Sequence, residues 1–408
     1  MQITVNQHYV PRFYMKHFAN IKKAGTRREK ALISFYQFKD NLFRKNIPTN
    51  SICSEDHFYD KDGKIENTLA DMEAGWSKAL NNVIDDEFTI DDIESIREFV
   101  IYQISRTKAM LTHNREMATN VIKGILKQQS VDLSDEEMEF IKNKIQDEIT
   151  PELGLSIVKK TIPVILDLKM KVITNETEMR FITSDVPMII INPLGICSAG
   201  LNSIGEVIFF PISPCKMIIF YDAKLFGELP DRICNDSIIK VLNQYQYISA
   251  EERLLAKEIE DINHIINNEE LNSKREQFQK TQKTNILDDG VGTLLAIKSR
   301  SIPYYYNISI FRLPKPLRKI PEDFRETFSR EYSYSTRLAI LCRVYRDLDI
   351  SDNEKLKKHW KNQQMYSKIL LNYLDNYWST PKKDRIITPE LMKKLKTVPV
   401  STFKKETS

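Results

Sequence analysis

One segment, residues 181–222, constrains the fold of this chain most strongly. It reads FITSDVPMIIINP, then a turn rich in Gly and Ser, then EVIFFPISPCKMIIFYD. Short runs of β-branched and aromatic residues between Gly, Pro, Asn and Ser are typical of paired, buried strands. Most of the chain on either side has the apolar spacing of helices. We therefore expect an α+β fold, in which a small central, mostly antiparallel sheet is surrounded by helices.

Length and composition indicate a soluble globular protein of one large or two ordinary domains. Of the 408 residues, 41% are hydrophobic and 28% are charged, which is enough for a sizeable core. No apolar run approaches the ~20 residues of a membrane span, and the N-terminus lacks the basic and apolar regions of a signal peptide. The five cysteines are scattered and never form a C-x-x-C pair. We expect a cytoplasmic protein with reduced thiols and no membrane partner.

Charge is distributed unevenly along the chain. From Lys298 onward, the chain contains 24 Lys and Arg and 12 Asp and Glu. This region therefore has a net charge of about +12, and the remainder of the chain has a net charge of about −8. The last glycines of the chain, near Asp288, come just before this change. We therefore predict an α+β domain at 1–295 and a basic, mainly helical C-terminal extension at 296–408. Within the extension, 321–346 and 351–378 have the pattern of amphipathic helices.

The N-terminal segment VNQHYVPRFYMKHF places His8 three residues before Pro11. Val10 precedes a proline and is biased away from helical geometry, whereas Pro11 suits the first turn of a helix. His8 is therefore predicted to lie just before a helix N-terminus. The sequence leaves two interpretations open, a packed imidazole bonded to the backbone and a functional group.

Two carboxylates fall on the apolar face of a predicted helix that begins near Ile65. Glu66 and Glu73 are spaced three or four residues from large apolar side chains, namely Leu69, Trp76 and Leu80. Carboxylates on such a face are costly to bury unless they are paired. They are therefore expected either at the solvent margin, in a structural ion pair, or in a functional site.

Residues 89–129 have the spacing of one long helix, or of two with a break near 111–114. Gln103 and Arg106 lie one turn apart on it, and the apolar surroundings predict a partly buried guanidinium that needs a carboxylate or phosphate partner. Glu66 or Glu73 is the simplest partner. Further along, residues 236–259 are predicted to form two helical pieces, with Ser249 as the second cap.

Asp185 follows Thr183 and Ser184 at the end of a short apolar run, and Pro187 blocks a following helix. Its carboxylate is therefore predicted at a tight bend between strands. One interpretation is an Asx-type turn, in which the carboxylate accepts a nearby backbone N–H. The other is a chemical role at the end of a strand.

Several short motifs together resemble an uncharacterised bacterial and fungal family, one of the domain-of-unknown-function families. The motifs are HYVPRFYMKHF at 8–18, FYDKDGKIE at 58–66, TSDVP at 183–187 and FPISP at 210–214. The family is marked by H-Y-x-P near the N-terminus and S-D-x-P in the middle, and the resemblance covers about residues 5–295. It implies a shared polar pattern, and lends no activity. The residues of this pattern are His8, Glu66, Glu73, Gln103, Arg106, Asp185 and Ser213.

The standard signatures of kinases, dinucleotide-binding enzymes, zinc proteases and serine hydrolases are absent from the sequence. A dispersed set of carboxylates with a histidine and an arginine remains, and such a set suits a phosphodiester substrate. We therefore predict a nuclease-like hydrolase with a role as a toxin or anti-phage defence effector, which holds nucleic acid through its basic extension. The sequence leaves the cofactor open, and Mg²⁺ or Mn²⁺ is compatible with these side chains. The catalytic candidates are His8, Glu66, Glu73 and Asp185; the substrate-binding candidates are Arg12, Gln103, Arg106 and Ser213; the metal candidates are Glu66 and Asp185.

Two other functions fit the same residues. In a non-catalytic module, Arg106 pairs structurally with a glutamate, Asp185 makes a turn, and only the basic region contacts nucleic acid or an acidic protein. In an enzyme that hydrolyses a nucleotide or NAD, Arg106 binds a pyrophosphate and a glutamate stabilises a ribosyl cation. Aromatic side chains would then stack on the base, and the candidates are Tyr9, Tyr36 and Tyr59.

Overall fold

The computed structural model describes residues 4–128, 131–166, 168–193, 201, 205–281, 285–288, 293–296 and 301–311. Most of the predicted basic extension, including both of its predicted amphipathic helices, lies outside the described residues. Within these ranges, every helix falls short of the length and apolar character that crossing a membrane requires.

Helices account for just under half of the described residues. They are α1 Arg12–Lys16, α2 Lys64–Ile84, α3 Ile90–Arg106, α4 Lys108–Gln128, α5 Asp135–Glu148, α6 Pro151–Thr161, α7 Ala223–Phe226, α8 Asp236–Ser249, α9 Glu260–Ile266 and α10 Glu269–Thr281. Short 3₁₀ turns occur at Thr49–Ser51 and Ile162–Ile165. Capping boxes start α3 at Thr89 and α5 at Ser134, so the backbone N–H groups at these two ends are satisfied by side chains.

The strands are β1 Asn6–His8, β2 Asn20–Lys22, β3 Lys30–Gln37, β4 Leu42–Pro48, β5 Ser54–Asp56, β6 Lys169–Asn175, β7 Thr183–Ser184, β8 Ile189–Ile191, β9 Val207–Ser213, β10 Lys216–Tyr221, β11 Arg232–Ile233, β12 Arg253–Ala256, β13 Asn285–Asp288 and β14 Thr293–Ala296. The central sheet has the order β11-β6-β10-β9-β8, and only its β11–β6 pair is parallel. The N-terminal sheet has the order β2-β3-β12-β7, with β4 also paired to β3. Two antiparallel pairs, β1–β5 and β13–β14, complete the described strands. The predicted α+β class with mostly antiparallel sheets is confirmed.

The segment 181–222 connects the two sheets. Its strand β7 pairs with β12 in the N-terminal sheet, whereas β8 pairs with β9 in the central sheet. Asp185 therefore lies where the chain leaves one sheet for the other. The β9–β10 hairpin that follows forms the middle of the central sheet.

The two faces of the central sheet bury different hydrophobic clusters. Along β9, Phe210 belongs to the cluster that includes Trp76 of α2 and Phe99 of α3, whereas Phe209 belongs to the cluster that includes Tyr245 of α8. Successive side chains of a strand point to opposite faces. This burial on both sides explains why the sequence of the sheet is almost continuously apolar.

Two helix boundaries differ from the predicted ones. The long helical stretch breaks at Thr107, not at 111–114, because Thr107 adopts extended dihedral angles and its hydroxyl accepts from the N–H of Met110. Ser249 ends α8 and caps no second helix, since Arg253–Ala256 forms strand β12. Leu and Ala favour helices, but pairing with both β3 and β7 overrides that propensity.

Residues 301–311 pack on the central sheet, although they fall in the predicted extension. Ile302 forms a bridge with Ile191 of β8, and Phe311 contacts Phe209 and Phe226. The packed core therefore includes residues beyond the predicted boundary at 295, because the apolar side chains of 301–311 are buried against it.

Candidate functional site

Strand pairing between β1 and β5 positions the N-terminal segment that carries His8. His8 pairs with Ser54 at the end of β1, and Pro11 then starts α1. The preceding Gln7 is fully buried, and its side chain accepts from the N–H of Tyr59 at 2.6 Å and donates to the carbonyl oxygen of Asp60 at 2.9 Å. The backbone before His8 is thus fixed on both sides, by the strand pair and by a buried amide.

Arg106 lies at the C-terminal end of α3 with a side chain that is 1% exposed. Its Nη1 donates to Glu73 Oε1 at 2.7 Å, its Nη2 to the carbonyl oxygen of His8 at 2.7 Å, and its Nε to the hydroxyl of Tyr59 at 2.8 Å. Burial opposes the charge, but Tyr59 and Glu73 outweigh it and raise the pKa of Arg106 above its usual value. Arg106 is therefore a permanently charged clamp that joins α2, α3 and the N-terminal segment.

Gln103 lies one turn before Arg106 and holds the next residue of the same segment. Its Nε2 donates to the carbonyl oxygen of Tyr9 at 2.9 Å. Arg106 and Gln103 therefore bind two consecutive carbonyl groups, those of His8 and Tyr9. The two α3 residues lie one turn apart, as predicted, and both act on backbone atoms.

Glu66 and Glu73 lie two turns apart on α2 and flank the Arg106 guanidinium differently. Glu73 forms the ion pair, whereas Glu66 Oε2 is buried and has no hydrogen-bond partner among the described residues. Burial, followed by repulsion from Glu73, raises the pKa of Glu66 to about 7. Attraction by Arg106 opposes this rise without cancelling it. Glu66 is thus a carboxyl group that exchanges its proton near neutral pH.

The imidazole of His8 is half-buried, and its pKa is lowered, whereas pairing with a carboxylate would raise it. Burial, then the positive charge of Arg12, lowers the pKa of His8 to about 4, and interactions with the backbone of Thr49 and Asn50 act against this. Its Nε2 is buried without a hydrogen-bond partner among the described residues. His8 is therefore neutral at pH 7 and able to accept a proton. Arg12, on the first turn of α1, is exposed.

The residues described so far, with Arg106 at their centre, form one group of polar side chains, here called the Arg106 group. Asp185 belongs to a second one, here called the Asp185 group. Its Oδ1 accepts from the N–H of Glu251 at 3.1 Å and its Oδ2 from the N–H of Glu252 at 2.6 Å. Burial raises the pKa of Asp185 to about 6, although these two backbone bonds lower it. Both bonds span more than sixty residues. Asp185 therefore stabilises the turn between α8 and β12, while the local turn after β7 is made by Ser184, whose Oγ accepts from the N–H of Val186 at 2.9 Å.

Tyr9 connects the two groups. Its carbonyl oxygen is held by Gln103, whereas its side chain interacts electrostatically with Cys53 and Asp185. Burial, with these two neighbours, raises the pKa of the Tyr9 hydroxyl. Arg253 is the cation on this side, close to Cys53 and Asp185. The Arg106 group and the Asp185 group are thus neighbours that meet at one residue, and no hydrogen bond or ion pair of the described residues links Asp185 to His8, Glu66 or Arg106.

A cavity of about 20 Å³, room for about one water molecule, lies between the two groups. Gln103 lines it from α3, Val186 from the segment after Asp185, and Ser249 from the end of α8. Gln103 Oε1 is buried and lacks a hydrogen-bond partner among the described residues. The lining is mainly apolar, and Gln103 is one of its few polar residues.

The structure separates residues that two of the predicted assignments bring together. Ser213 accepts from the N–H of Cys215 at 3.2 Å in the β9–β10 hairpin, where it shapes a turn. Glu66 and Asp185, the predicted metal ligands, lie in different groups. No three His, Cys, Asp or Glu side chains within the described ranges are arranged to hold a metal ion.

Two important residues, Gln7 and Arg253, were missed from the sequence, and Tyr59 was predicted only as a base-stacking side chain. Tyr59 donates to the carbonyl oxygen of His8 at 3.1 Å while it accepts from Arg106, and burial raises its pKa to about 12. Gln7 fixes the backbone before His8, and Arg253 faces Asp185. Tyr59 and Gln7 lie inside or beside the motifs at 58–66 and 8–18, so proximity to those motifs was a usable signal. Arg253 carried none, because its strand was not predicted.

Comparison with known proteins gives one match. No curated protein and no solved structure matches the chain. A family described as a protein of unknown function (DUF4238) matches residues 6–260, a range that contains both polar groups and ends before α10. Because this range is more than half of the 408 residues, the chain belongs to the DUF4238 family of proteins of unknown function.

Proposed function

We propose that the protein is a nuclease-like phosphodiester hydrolase whose reaction centre is formed by His8 and Glu66. The observation that carries the proposal is that Arg106, a buried cation, binds the carbonyl oxygen of His8 and interacts electrostatically with both side chains, and that each side chain has a buried atom without a partner among the described residues. Their pKa values, about 4 and about 7, leave an imidazole that is neutral and a carboxyl group that is partly protonated. This is the combination that general base and general acid require.

Each residue has a defined role in the proposed reaction. His8 Nε2 takes the proton of the attacking hydroxyl or water, and Glu66 gives its proton to the leaving oxygen. Arg12, exposed beside His8, binds the phosphate. Arg106, Tyr59 and Glu73 are positioning residues, because all of their bonds hold the protein itself.

Nucleic acid is the proposed substrate because of the charge of the full chain. The region from Lys298 onward carries about +12, and clustered Lys and Arg bind phosphates irrespective of sequence. The remainder of the chain is acidic, so long-range attraction of a polyanion depends on the C-terminal region. A role in a toxin or in anti-phage defence is part of the same proposal and rests on the predicted nuclease activity alone.

One observation favours the second candidate, a non-catalytic binding module. Three nitrogens of Arg106 donate to protein acceptors and both carboxylate oxygens of Asp185 accept from amides. A structural role explains these two residues completely. The third candidate, base stacking by Tyr9, Tyr36 and Tyr59, is less well supported because all three side chains are at most 6% exposed.

The test is cleavage of labelled RNA and DNA by the full-length protein. We expect Glu66→Gln and His8→Gln each to reduce the rate by about 10²–10⁴-fold, the range that loss of a general acid or base produces. The wild-type rate should be maximal between about pH 4 and pH 7, where His8 is neutral and Glu66 is protonated. Glu66→Gln should remove the decline on the alkaline side. Reactions with and without EDTA determine whether a divalent metal contributes.

The matched control is Asp71→Asn, an exposed carboxylate on the same helix, which should leave the rate unchanged. Circular dichroism and thermal unfolding establish that each variant is folded. Equal cleavage by folded Glu66→Gln and wild type would reject the assignment. Binding of nucleic acid without cleavage, unchanged in all variants, would favour the binding module.

A further inference from the structure

Residues 301–311, here called the strap, are attached to the outer edge of the central sheet by backbone contacts. The N–H of Ile302 donates to the carbonyl oxygen of Ile190 at 2.7 Å, and Ile302 forms a parallel bridge with Ile191. β8 is the last strand of the sheet on this side in the described residues. The strap therefore occupies part of an edge that would otherwise present unpaired backbone groups.

Polar side chains of the domain recognise the strap at two further points. Ser301 donates to Glu206 Oε1 at 2.8 Å, and Glu206 is 1% exposed. The hydroxyl of Tyr245 accepts from the N–H of Tyr306 at 2.9 Å and donates to the carbonyl oxygen of the same residue at 3.0 Å. One buried tyrosine on α8 thus satisfies both backbone groups of a strap residue, and release of the strap would remove both of these partners from its hydroxyl.

Apolar and cationic contacts cover the rest of the strap. Ile302 and Ile308 are at most 1% exposed, and Phe311 packs on Phe209 of β9 and Phe226 of α7. Lys274 of α10 lies 3.9 Å from the ring centroid of Tyr306. Together the contacts of the strap come from five elements, β8, β9, α7, α8 and α10, so the strap is held from several directions.

The strap has the features of a bound peptide ligand. It follows the family match by some forty residues, the N–H of Ile302 donates to the sheet edge, and the buried Ile308 lies between the exposed Asn307 and Ser309. Extended peptides are recognised in this way, with backbone bonds at a sheet edge and pockets for selected side chains. The strap also leads directly into residues 312–408, the main part of the basic region.

We propose that the edge of β8, together with α7, α8 and α10, is a peptide-binding groove whose occupant is the strap of the same molecule. The docked strap anchors the basic C-terminal region to the domain without a need for chain continuity. Its recognition elements are Ser301, Ile302, Tyr306, Ile308 and Phe311. The inference rests on the contacts of the strap and is independent of the proposed catalytic activity.

The test separates the strap from the domain in the full-length protein. A recognition sequence for a site-specific protease replaces residues 297–300, and the cleaved protein is examined by size-exclusion chromatography. We expect the fragment that begins at residue 301 to co-elute with the remainder. The double variant Ile302→Asp and Ile308→Asp should lose this association, whereas Ser309→Asp, an exposed position in the same strap, should retain it.

A second measurement does not depend on the folding of a variant. Excess synthetic peptide with the sequence of residues 301–311 should displace the C-terminal fragment from the cleaved wild-type protein, and a scrambled peptide should not. Separation of the wild-type fragments on the column would overturn the proposal, as would failure of the peptide to compete. A dimer that exchanges straps between two copies would contradict docking within one molecule.

Discussion

The guanidinium of Arg106 donates to the backbone carbonyl oxygen of His8 at 2.7 Å, and its positive charge helps to lower the pKa of the imidazole of the same residue, after burial and Arg12. A buried cation therefore positions the backbone that carries the imidazole, while the imidazole Nε2 has no hydrogen-bond partner among the described residues. Glu73 balances the positive charge of Arg106, and the hydroxyl of Tyr59 accepts the remaining hydrogen bond, from Nε. The stability of this clamp and the chemistry of His8 can be tested separately.

Arg106→Lys should destabilise the protein by about 3 kcal/mol, because an ammonium group cannot reach three acceptors in the directions that a guanidinium serves, and Glu73 loses its partner. Urea unfolding followed by circular dichroism measures the change. Arg28→Lys, at an exposed position, is the control and should alter stability by less than about 0.5 kcal/mol. A similarly small effect of Arg106→Lys would show that the clamp is not important for folding.

Glu66→Gln should stabilise the protein at alkaline pH. The pKa of Glu66 is raised from 4.5 to about 7 in the folded state, so ionised Glu66 opposes folding as pH rises through this interval. The variant should match wild type near pH 4 and exceed it by about 1–2 kcal/mol at pH 8, a value reduced for solvent screening because the group is only partly buried. Unfolding curves across this pH range provide the measurement. A constant difference at all pH values would contradict the raised pKa.

The contribution of His8 to stability depends on pH in the direction opposite to that of Glu66. Its pKa is lowered from 6.5 to about 4 in the folded state, so its contribution to stability is complete above about pH 6.5 and is lost as pH falls toward 4. His8→Gln should therefore unfold less readily than wild type as the solution is acidified through this interval, relative to their difference at neutral pH. Acid titrations monitored by tryptophan fluorescence measure this. An identical acid response of the two proteins would argue against a buried, neutral imidazole.

Asp185→Asn should cost about 1–3 kcal/mol, because both carboxylate oxygens accept backbone N–H groups and an amide can replace only one of them. Asp71→Asn, at an exposed carboxylate on α2, is the control and should change stability much less. Thermal unfolding measures the difference. If folded Asp185→Asn retains full activity in the cleavage assay, Asp185 has no catalytic role and only stabilises the turn.

Replacing Lys393, Lys394 and Lys396 by Ala should weaken nucleic-acid binding across sequences and flatten its dependence on salt, since each phosphate contact releases counterions. These lysines lie outside the described residues, and the prediction rests on the sequence. Fluorescence anisotropy at several salt concentrations measures both quantities. An unchanged salt slope would place the contacts elsewhere.

Much of the fold was predictable because its elements carry strong local patterns. β3, α2 and the β9–β10 hairpin follow from apolar spacing, and the capping box at Ser134 marks the start of α5. β12 was not predictable, since its sequence favours a helix and only its pairing with β3 and β7 makes it a strand. The division of the strands into two sheets depends on such long-range pairing as well.

The candidate site was predictable in part. The sequence indicated that Arg106 needs a carboxylate, and Glu73 is that partner. It could not indicate that Asp185 would bind amides of residues 251 and 252, because an aspartate at the end of a strand is expected to make a local turn. Nor could spacing show that Arg106 and Gln103 act on carbonyl groups, since backbone acceptors have no sequence signature.

The two carbonyl groups held by α3 make the site sensitive to the length of the N-terminal segment. The side chains of His8 and Tyr9 have different neighbours, Arg12 for one and Cys53 with Asp185 for the other. Gln103 and Arg106 bind whichever carbonyls occupy these places, irrespective of side chain. Deleting or inserting one residue before Pro11 would preserve both bonds and yet exchange the imidazole with a neighbouring side chain. Single-residue indels here should therefore be more damaging than most substitutions.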